Sequence, residues 1–209
     1  YKNEKDIEAE LAYYGVKNNL KNAFAPIIAN GKNACTLHYQ SNDSDIDKSA
    51  ITLIDMGYSY DSYCADITRC IIKKPSARHL QVHGAVIEIS DFAHNILKPG
   101  ILPRDYEISV AKFAGEKLKE LGLIKTLDFD SIHEYYRHRT SHFLGIDVHD
   151  EGDYEKPFSP GAVLTIEPGI YIEDESIGIR IEDDVLLVKK GNENLSKSLS
   201  RDLDSLNMY

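Results

Sequence analysis

The chain has 209 residues, enough to bury one continuous hydrophobic core, so a single catalytic or binding unit is the default reading. Hydrophobic residues make up 42% and charged residues 28%, and no apolar run approaches the roughly 20 residues of a membrane-spanning helix, which argues against a membrane partner. The formal net charge of -10 argues against nucleic acid, whose phosphates require clustered Lys and Arg, and leaves cations as a natural complement.

The first ten residues are rich in charge and have no apolar stretch, so they are not a signal peptide. A first helix reads as already under way at about Asn3, with Ile7, Leu11 and Tyr14 forming a stripe that ends at Gly15. Nothing precedes it to cover that stripe, so the sequence reads as an N-terminally cut fragment with one domain over residues 1–209. Segments Ala25 to Ala29 and Ala34 to Tyr39 read as short strands, and Gln40 to Lys48 as a loop. Ile51 to Tyr58 and Tyr63 to Ile72 are rich in β-branched and aromatic residues and form a hairpin around Ser59, Tyr60, Asp61 and Ser62. Ser76 caps a long helix to about Leu97, whose apolar positions are Leu80, Val86, Ile87, Phe92, Ile96 and Leu97, and Pro99-Gly100 stops it. A second helix spans about Tyr106 to Leu121. Strands return at Phe143 to Val148, Ala162 to Ile172 and Ile177 to Val188, followed by a polar turn from Lys189 to Asn194. Strands on both sides of a central helical pair make an α+β domain. Three cysteines, Cys35, Cys64 and Cys70, lack CxxC spacing, so neither a disulfide framework nor a thiolate zinc site is indicated, and a reducing cytoplasm fits.

Four carboxylates interrupt these strands. If the first turn occupies the tetrad from Ser59 to Ser62, Tyr58 faces Tyr63 and Asp55 faces Asp66. Around the acidic turn Glu173 to Ser176, Glu167 falls opposite Glu182, subject to disturbance by Pro168, which cannot donate to a ladder. Like charges directly opposed in a sheet are destabilising, and burying unpaired ions costs several kcal/mol each. Divalent cations remove that cost. Carboxylate oxygens with an imidazole suit Mn²⁺, Co²⁺, Zn²⁺ or Fe²⁺, and two ions about 3.5 to 4 Å apart share bridging carboxylates. The bland alternative, a solvated strand end, suits any one of the four better than all four together.

Of the eight histidines, His138, His142 and His149 cluster in H-R-T-S-H-F-L-G-I-D-V-H. The gap from His138 to His142 lacks the Glu of an HExxH zinc motif. His142 and His149 have opposite strand parity, so a bend at Gly145 is needed for both to reach one site. His79, His83 and His94 on the long helix, and His133, read as solvated surface positions. His38, at a strand end, is either a cap or a substrate contact.

The stretches L-I-D-M-G, A-D-I-T-R, T-S-H-F-L-G-I-D-V-H-D, T-I-E-P-G-I-Y and G-I-R-I-E-D-D, in this order, resemble the pita-bread metallopeptidase family, which includes methionine aminopeptidase, prolidase and aminopeptidase P. The histidine stretch, and R-I-E-D-D followed by G-N-E-N-L, resemble the aminopeptidase P branch. Arg139 stands where many members have Gly, and Cys70 where many have Thr. The resemblance implies two pseudo-symmetric halves with a curved antiparallel sheet covered by helices, and a separate N-terminal domain that this chain lacks. It implies two divalent ions, Mn²⁺ foremost, with Asp55 on one, His142 and part of Glu167 on the other, and Asp66 and Glu182 bridging. His38, His138, His149 and Arg180 match further active-site positions. The activity implied is hydrolysis of an N-terminal Xaa-Pro bond by hydroxide generated at the ions, in a protein that is a homo-oligomer at full length. Glu167 would shuttle the proton, and His149 and His138 would steady the tetrahedral intermediate. Prolidase activity on Xaa-Pro dipeptides, and a catalytically dead peptide- or protein-binding module, are the alternatives.

Overall fold

The computed structural model describes residues 1–203. Helix α1 (Glu4–Lys17) begins at a cap: Asn3 accepts a bond from the Lys5 N–H, and the Asp6 carboxylate accepts one from the Asn3 N–H. The helix thus starts one residue after Asn3, close to the expected position, and its stripe is covered, because Ile7 packs with Ile28, Ile54 and Ile71 and Leu11 packs against them. Tyr14 stays exposed.

Strands β1 (Lys21–Asn22) and β2 (Ile27–Asn30) follow, and then a 3-10 turn over Gly31–Cys35 in place of the expected strand at Ala34 to Tyr39. Gly31, at φ +57, starts that turn. The backbone beyond it is held by a side chain instead of a ladder. Fully buried Glu4 accepts bonds from the backbone N–H groups of Asn30 and Ser44, the Asn33 amide and the Tyr39 hydroxyl.

The first hairpin comprises β3 (Thr52–Met56), β4 (Tyr58–Tyr60), β5 (Tyr63–Cys64) and β6 (Ile67–Ile71). One antiparallel sheet has the order β2-β3-β6, and a smaller one β1-β4-β5. Residues alternate between two apolar faces: Ile28, Ile54 and Ile71 meet α1, while Ala29, Leu53 and Cys70 join the main core.

Helices α2 (Ala77–Ile96, capped by Ser76) and α3 (Pro103–Glu120) pack on each other, followed by α4 (Phe129–Tyr135), which the sequence pattern does not reveal. Leu80 is exposed, and Val82 with Val86, Ile89 and Ala93 makes the buried stripe. His79, His83 and His94 are half-buried, not solvated: His83 Nε2 lies 2.8 Å from the Arg201 carbonyl, and His94 Nδ1 3.3 Å from Asn192 Oδ1. His133 is exposed, as expected, and stacks on Phe129.

The second hairpin comprises β7 (Val163–Ile166), β8 (Gly169–Ile172), β9 (Ile177–Arg180) and β10 (Asp183–Leu187). Strand β11 (Asn192–Asn194) pairs with β10 after a turn at Gly191, φ +83, so only the first half of the expected polar turn is a turn. The expected strand Phe143 to Val148 is displaced. Residues 140–144 run beside β7, through Glu167 N to Thr140 O at 2.8 Å, Thr165 N to His142 O at 3.0 Å and Leu144 N to Val163 O at 3.1 Å, and the chain then turns. Helix α2 packs on the back of β7, β8 and β9, as α1 packs on the back of the first sheet. The two halves thus meet front to front. The Glu182 N–H bonds the Thr68 carbonyl at 3.1 Å across the seam.

Candidate metal centre

On the first hairpin, Asp55 lies on the Leu53 face, where Cys70 Sγ reaches the Arg180 carbonyl at 3.5 Å, and so looks toward the second hairpin. Asp55 does not face Asp66. It faces Thr68, and Met56 faces Ile67, because the turn is only Asp61-Ser62, both left-handed at φ 48 and 70, with Tyr60 paired to Tyr63. A two-residue slip preserves parity, so Asp66 stays on the face of Thr68 and lies diagonal to Asp55. On the second hairpin the expected register holds. Gly169 faces Arg180 and Ile166 faces Asp183, which brackets Glu167 and Glu182 as the facing pair despite the break at Pro168.

The histidine segment supplies the imidazole. The Nδ1 of His142 lies 2.9 Å from the Phe143 carbonyl, so that nitrogen carries the proton and the Nε2 lone pair is left free. Nε2 is 3.4 Å from both Asp66 Oδ2 and Glu167 Oε1. Donor atoms of Asp66, His142 and Glu182 all lie within 4.8 Å of one another. The chain turns at Gly145, where an added Cβ would meet Asp150 Oδ2 at 1.9 Å, and this brings His149 back so that its ring sits 4.5 Å from that of His142.

His138 is engaged at both nitrogens, at 2.8 Å from the Arg139 carbonyl and 2.7 Å from the Tyr171 hydroxyl. Its Nδ1 therefore donates to the carbonyl and its Nε2 accepts from Tyr171. In this arrangement it has no proton to offer an oxyanion.

The charge balance is uneven. Asp55, Asp66 and Glu182 are buried and Glu167 nearly so, with Arg180 the cation buried among them. Arg180 donates Nη2 to Asp55 Oδ2 at 2.6 Å, Nη1 to the Tyr171 hydroxyl at 3.0 Å and Nε to Thr68 Oγ1 at 3.0 Å. The Thr68 hydroxyl in turn donates a hydrogen bond to Glu182 Oε2 at 2.5 Å. Burial, then the charges of Asp55 and Glu167, push the Asp66 carboxyl up to about 9. Burial first, and neighbouring carboxylates second, raise Glu167 and Glu182 well above the usual range. Burial and then Arg180 hold His138 down at about 3, so it is neutral, and burial and then His142 lower His149. Asp55 Oδ1 is buried without a hydrogen-bond partner. An orphaned carboxylate oxygen beside three crowded carboxyls and one lone-pair imidazole is a donor set suited to divalent cations of the Mn²⁺ to Zn²⁺ series.

These groups form the floor of a cavity of about 710 Å³. Phe24, Leu37, Val148 and Tyr154 supply apolar wall, and His38, His138 and His149 polar wall. Every expected site residue therefore reaches one cavity. Tyr171 and Thr68, which fix Arg180, His138 and Glu182, escape sequence reasoning, because a Tyr or Thr in a strand carries no signal of its own.

Residues 2–189 match metallopeptidase family M24. The chain is similar to the Xaa-Pro aminopeptidase of Escherichia coli (strain K12), 33% identical over 219 residues that cover 95% of this chain and 49% of that protein. To Xaa-Pro aminopeptidase 3 of Homo sapiens it is 32% identical over 201 residues, covering 88% and 40%. Among solved structures, it resembles zinc-substituted Escherichia coli aminopeptidase P in complex with product, with a TM-score of 0.88 and 30% identity over 96% of this chain and 50% of that one. It also resembles proline aminopeptidase P II from Yersinia pestis, with a TM-score of 0.89 and 32% identity over 96% and 51%. The chain thus spans between 40% and 51% of the length of these relatives. Their fold, with antiparallel sheets covered by helices, is the pita-bread architecture.

Proposed function

The chain belongs to metallopeptidase family M24, and on that premise we propose that it is the catalytic domain of a longer Xaa-Pro aminopeptidase. The observation that carries this reading is the convergence of Asp66, His142 and Glu182 donor atoms within 4.8 Å on the floor of the cavity, with Glu167 and Asp55 beside them. Asp55, Asp66, His142, Glu167 and Glu182 would hold two divalent ions, Mn²⁺ in the cell. Such a pair, when bound, supplies an activated water at neutral pH and polarises the scissile carbonyl.

The rest of the mechanism belongs to side chains of this chain. Glu167 takes the proton of the attacking water and delivers it to the leaving proline nitrogen. His149, whose ring nitrogens have no hydrogen-bond partner in the described structure, donates to the developing oxyanion. His138 keeps Tyr171 in place, accepting its hydroxyl at Nε2, and Tyr171 in turn accepts from Arg180. Arg180 fixes the orientation of Asp55, and His38 closes the cavity wall on the substrate side. Three free cysteines, two of them buried, agree with a reducing cytoplasm, and assembly of the longer protein into a homo-oligomer belongs to the same reading.

The test is Glu167→Gln in the full-length protein loaded with Mn²⁺. We expect kcat on Ala-Pro-Ala to fall by at least about 100-fold with one or more ions still bound by metal analysis. Full activity with both ions in place would remove Glu167 from the proton path, and no hydrolysis of Ala-Pro-Ala or Ala-Pro by the wild-type protein would remove the enzyme reading.

A further inference from the structure

Two guanidinium groups line the cavity, and they are used differently. Arg180 is 4% exposed and engaged by Asp55, Tyr171 and Thr68. Arg139 is exposed, lies on the cavity wall, and forms no ion pair within 4.0 Å among the described residues although four carboxylates line the same cavity. Its guanidinium carbon sits 5.3 Å from the centre of the Tyr154 ring, which itself lines the cavity. That ring is held: it meets Phe143 edge-on at 5.1 Å, and its hydroxyl accepts the Phe143 N–H at 3.3 Å. A cation laid on a fixed aromatic face keeps its N–H groups free at the edge of its plane, where a carboxylate can be gripped by two of them at once.

The cavity is also polarised along its depth. Its floor is acidic, the natural end for the amino group of a peptide, and a cation stands at its exposed margin. We infer that Arg139 is a specificity-determining residue that binds a substrate carboxylate on the leaving side of the scissile bond, so that the site favours short peptides ending close to the cleavage point. This rests on the peptidase reading above and adds the substrate class to it. The same chemistry is offered by a C-terminal carboxylate and by an acidic side chain, and the substrates separate the two.

The experiment compares Ala-Pro-Ala, Ala-Pro-Ala-amide and Ala-Pro-Glu-amide as substrates of the Mn²⁺-loaded full-length protein and its Arg139→Gln and Arg139→Lys variants. Binding of the same three peptides to an Glu167→Gln background is measured by calorimetry. We expect the wild type to prefer Ala-Pro-Ala over its amide by about 10-fold in kcat/KM, chiefly through KM. Arg139→Gln should abolish that preference, chiefly by raising KM for Ala-Pro-Ala toward that of the amide, and Arg139→Lys should keep part of it. If Ala-Pro-Glu-amide shares the advantage, the side-chain carboxylate is accepted as well; if not, the terminus alone is read. An equal preference in wild type and Arg139→Gln overturns the inference while the peptidase stands. Absence of hydrolysis with an Arg139-dependent carboxylate preference in calorimetry overturns the peptidase and leaves the carboxylate site. Binding of none of the peptides overturns both.

Discussion

Thr68 shows how much of a charged site can depend on one neutral hydroxyl. Its oxygen accepts from Arg180 Nε at 3.0 Å and donates to Glu182 Oε2 at 2.5 Å, so one atom orients both the buried cation and a carboxylate that would help hold the metal ions. Thr68→Val keeps the shape and the β-branch but leaves Arg180 Nε and Glu182 Oε2 without that partner in a buried setting, at a cost of about 1–3 kcal/mol. We expect a lower Tm and, by isothermal titration, weaker Mn²⁺ binding, because Glu182 loses its fixed orientation. A variant that bound Mn²⁺ as tightly as wild type would show that Glu182 is held by its backbone bond to Thr68 O alone. At the same scale, the four carboxylates of the candidate site could be singled out in the chain because charged residues stand out in apolar strands. Thr68 and Tyr171 could not, because nothing in a strand sequence distinguishes a hydroxyl that faces a carboxylate from one that faces water.

At the scale of elements, the first hairpin is closed at Gly57, where a Cβ would lie 1.7 Å from the Ala65 carbonyl oxygen. This is backbone against backbone and cannot be relieved by a rotamer. Gly57→Ala should therefore push the two arms apart, cost about 1–3 kcal/mol, and move Asp66, the residue after Ala65. The check is a paired measurement of Tm and Mn²⁺ affinity, both expected to fall; retention of wild-type affinity with a lowered Tm would mean that Asp66 is positioned from β6 and not from the turn. This hairpin also marks where sequence reading reaches its limit. Alternation fixes which face Asp55 and Asp66 occupy, but not their register, since a two-residue and a four-residue turn differ by a slip that leaves every side chain on its own side. The second hairpin is read correctly because its acidic turn is bounded by strong strand residues on both sides. The segment Phe143 to Val148 misleads for the opposite reason: its apolar residues imitate a strand, whereas the backbone bonds to β7 come from residues 140–144 and the rest turns at Gly145 to return His149.

Over the whole molecule, two half-sheets, each backed by helix, press their acidic fronts together, and this has a thermodynamic consequence for the metal-free protein. The Asp66 carboxyl, with an ordinary value of 3.8, sits at about 9 in the folded state, and Glu167 and Glu182 are raised in the same direction, all chiefly by burial. A raised folded value means that the native state holds protons that the unfolded chain releases. Below about pH 4 both states are protonated and the stabilising difference is complete; as pH climbs from there to about 9 it is lost progressively. The metal-free protein should therefore melt at steadily lower temperature between pH 5 and pH 8. Divalent ions reverse the trend by taking the place of those protons, so the rise in Tm on adding Mn²⁺ should be larger at pH 8 than at pH 5. Calorimetric scans with chelator and with Mn²⁺, at both pH values, measure the two slopes directly. A metal-free Tm that stayed flat or rose across this interval would mean that the front carboxylates are solvated in the folded protein, and the electrostatic case for a dinuclear centre would fail with it.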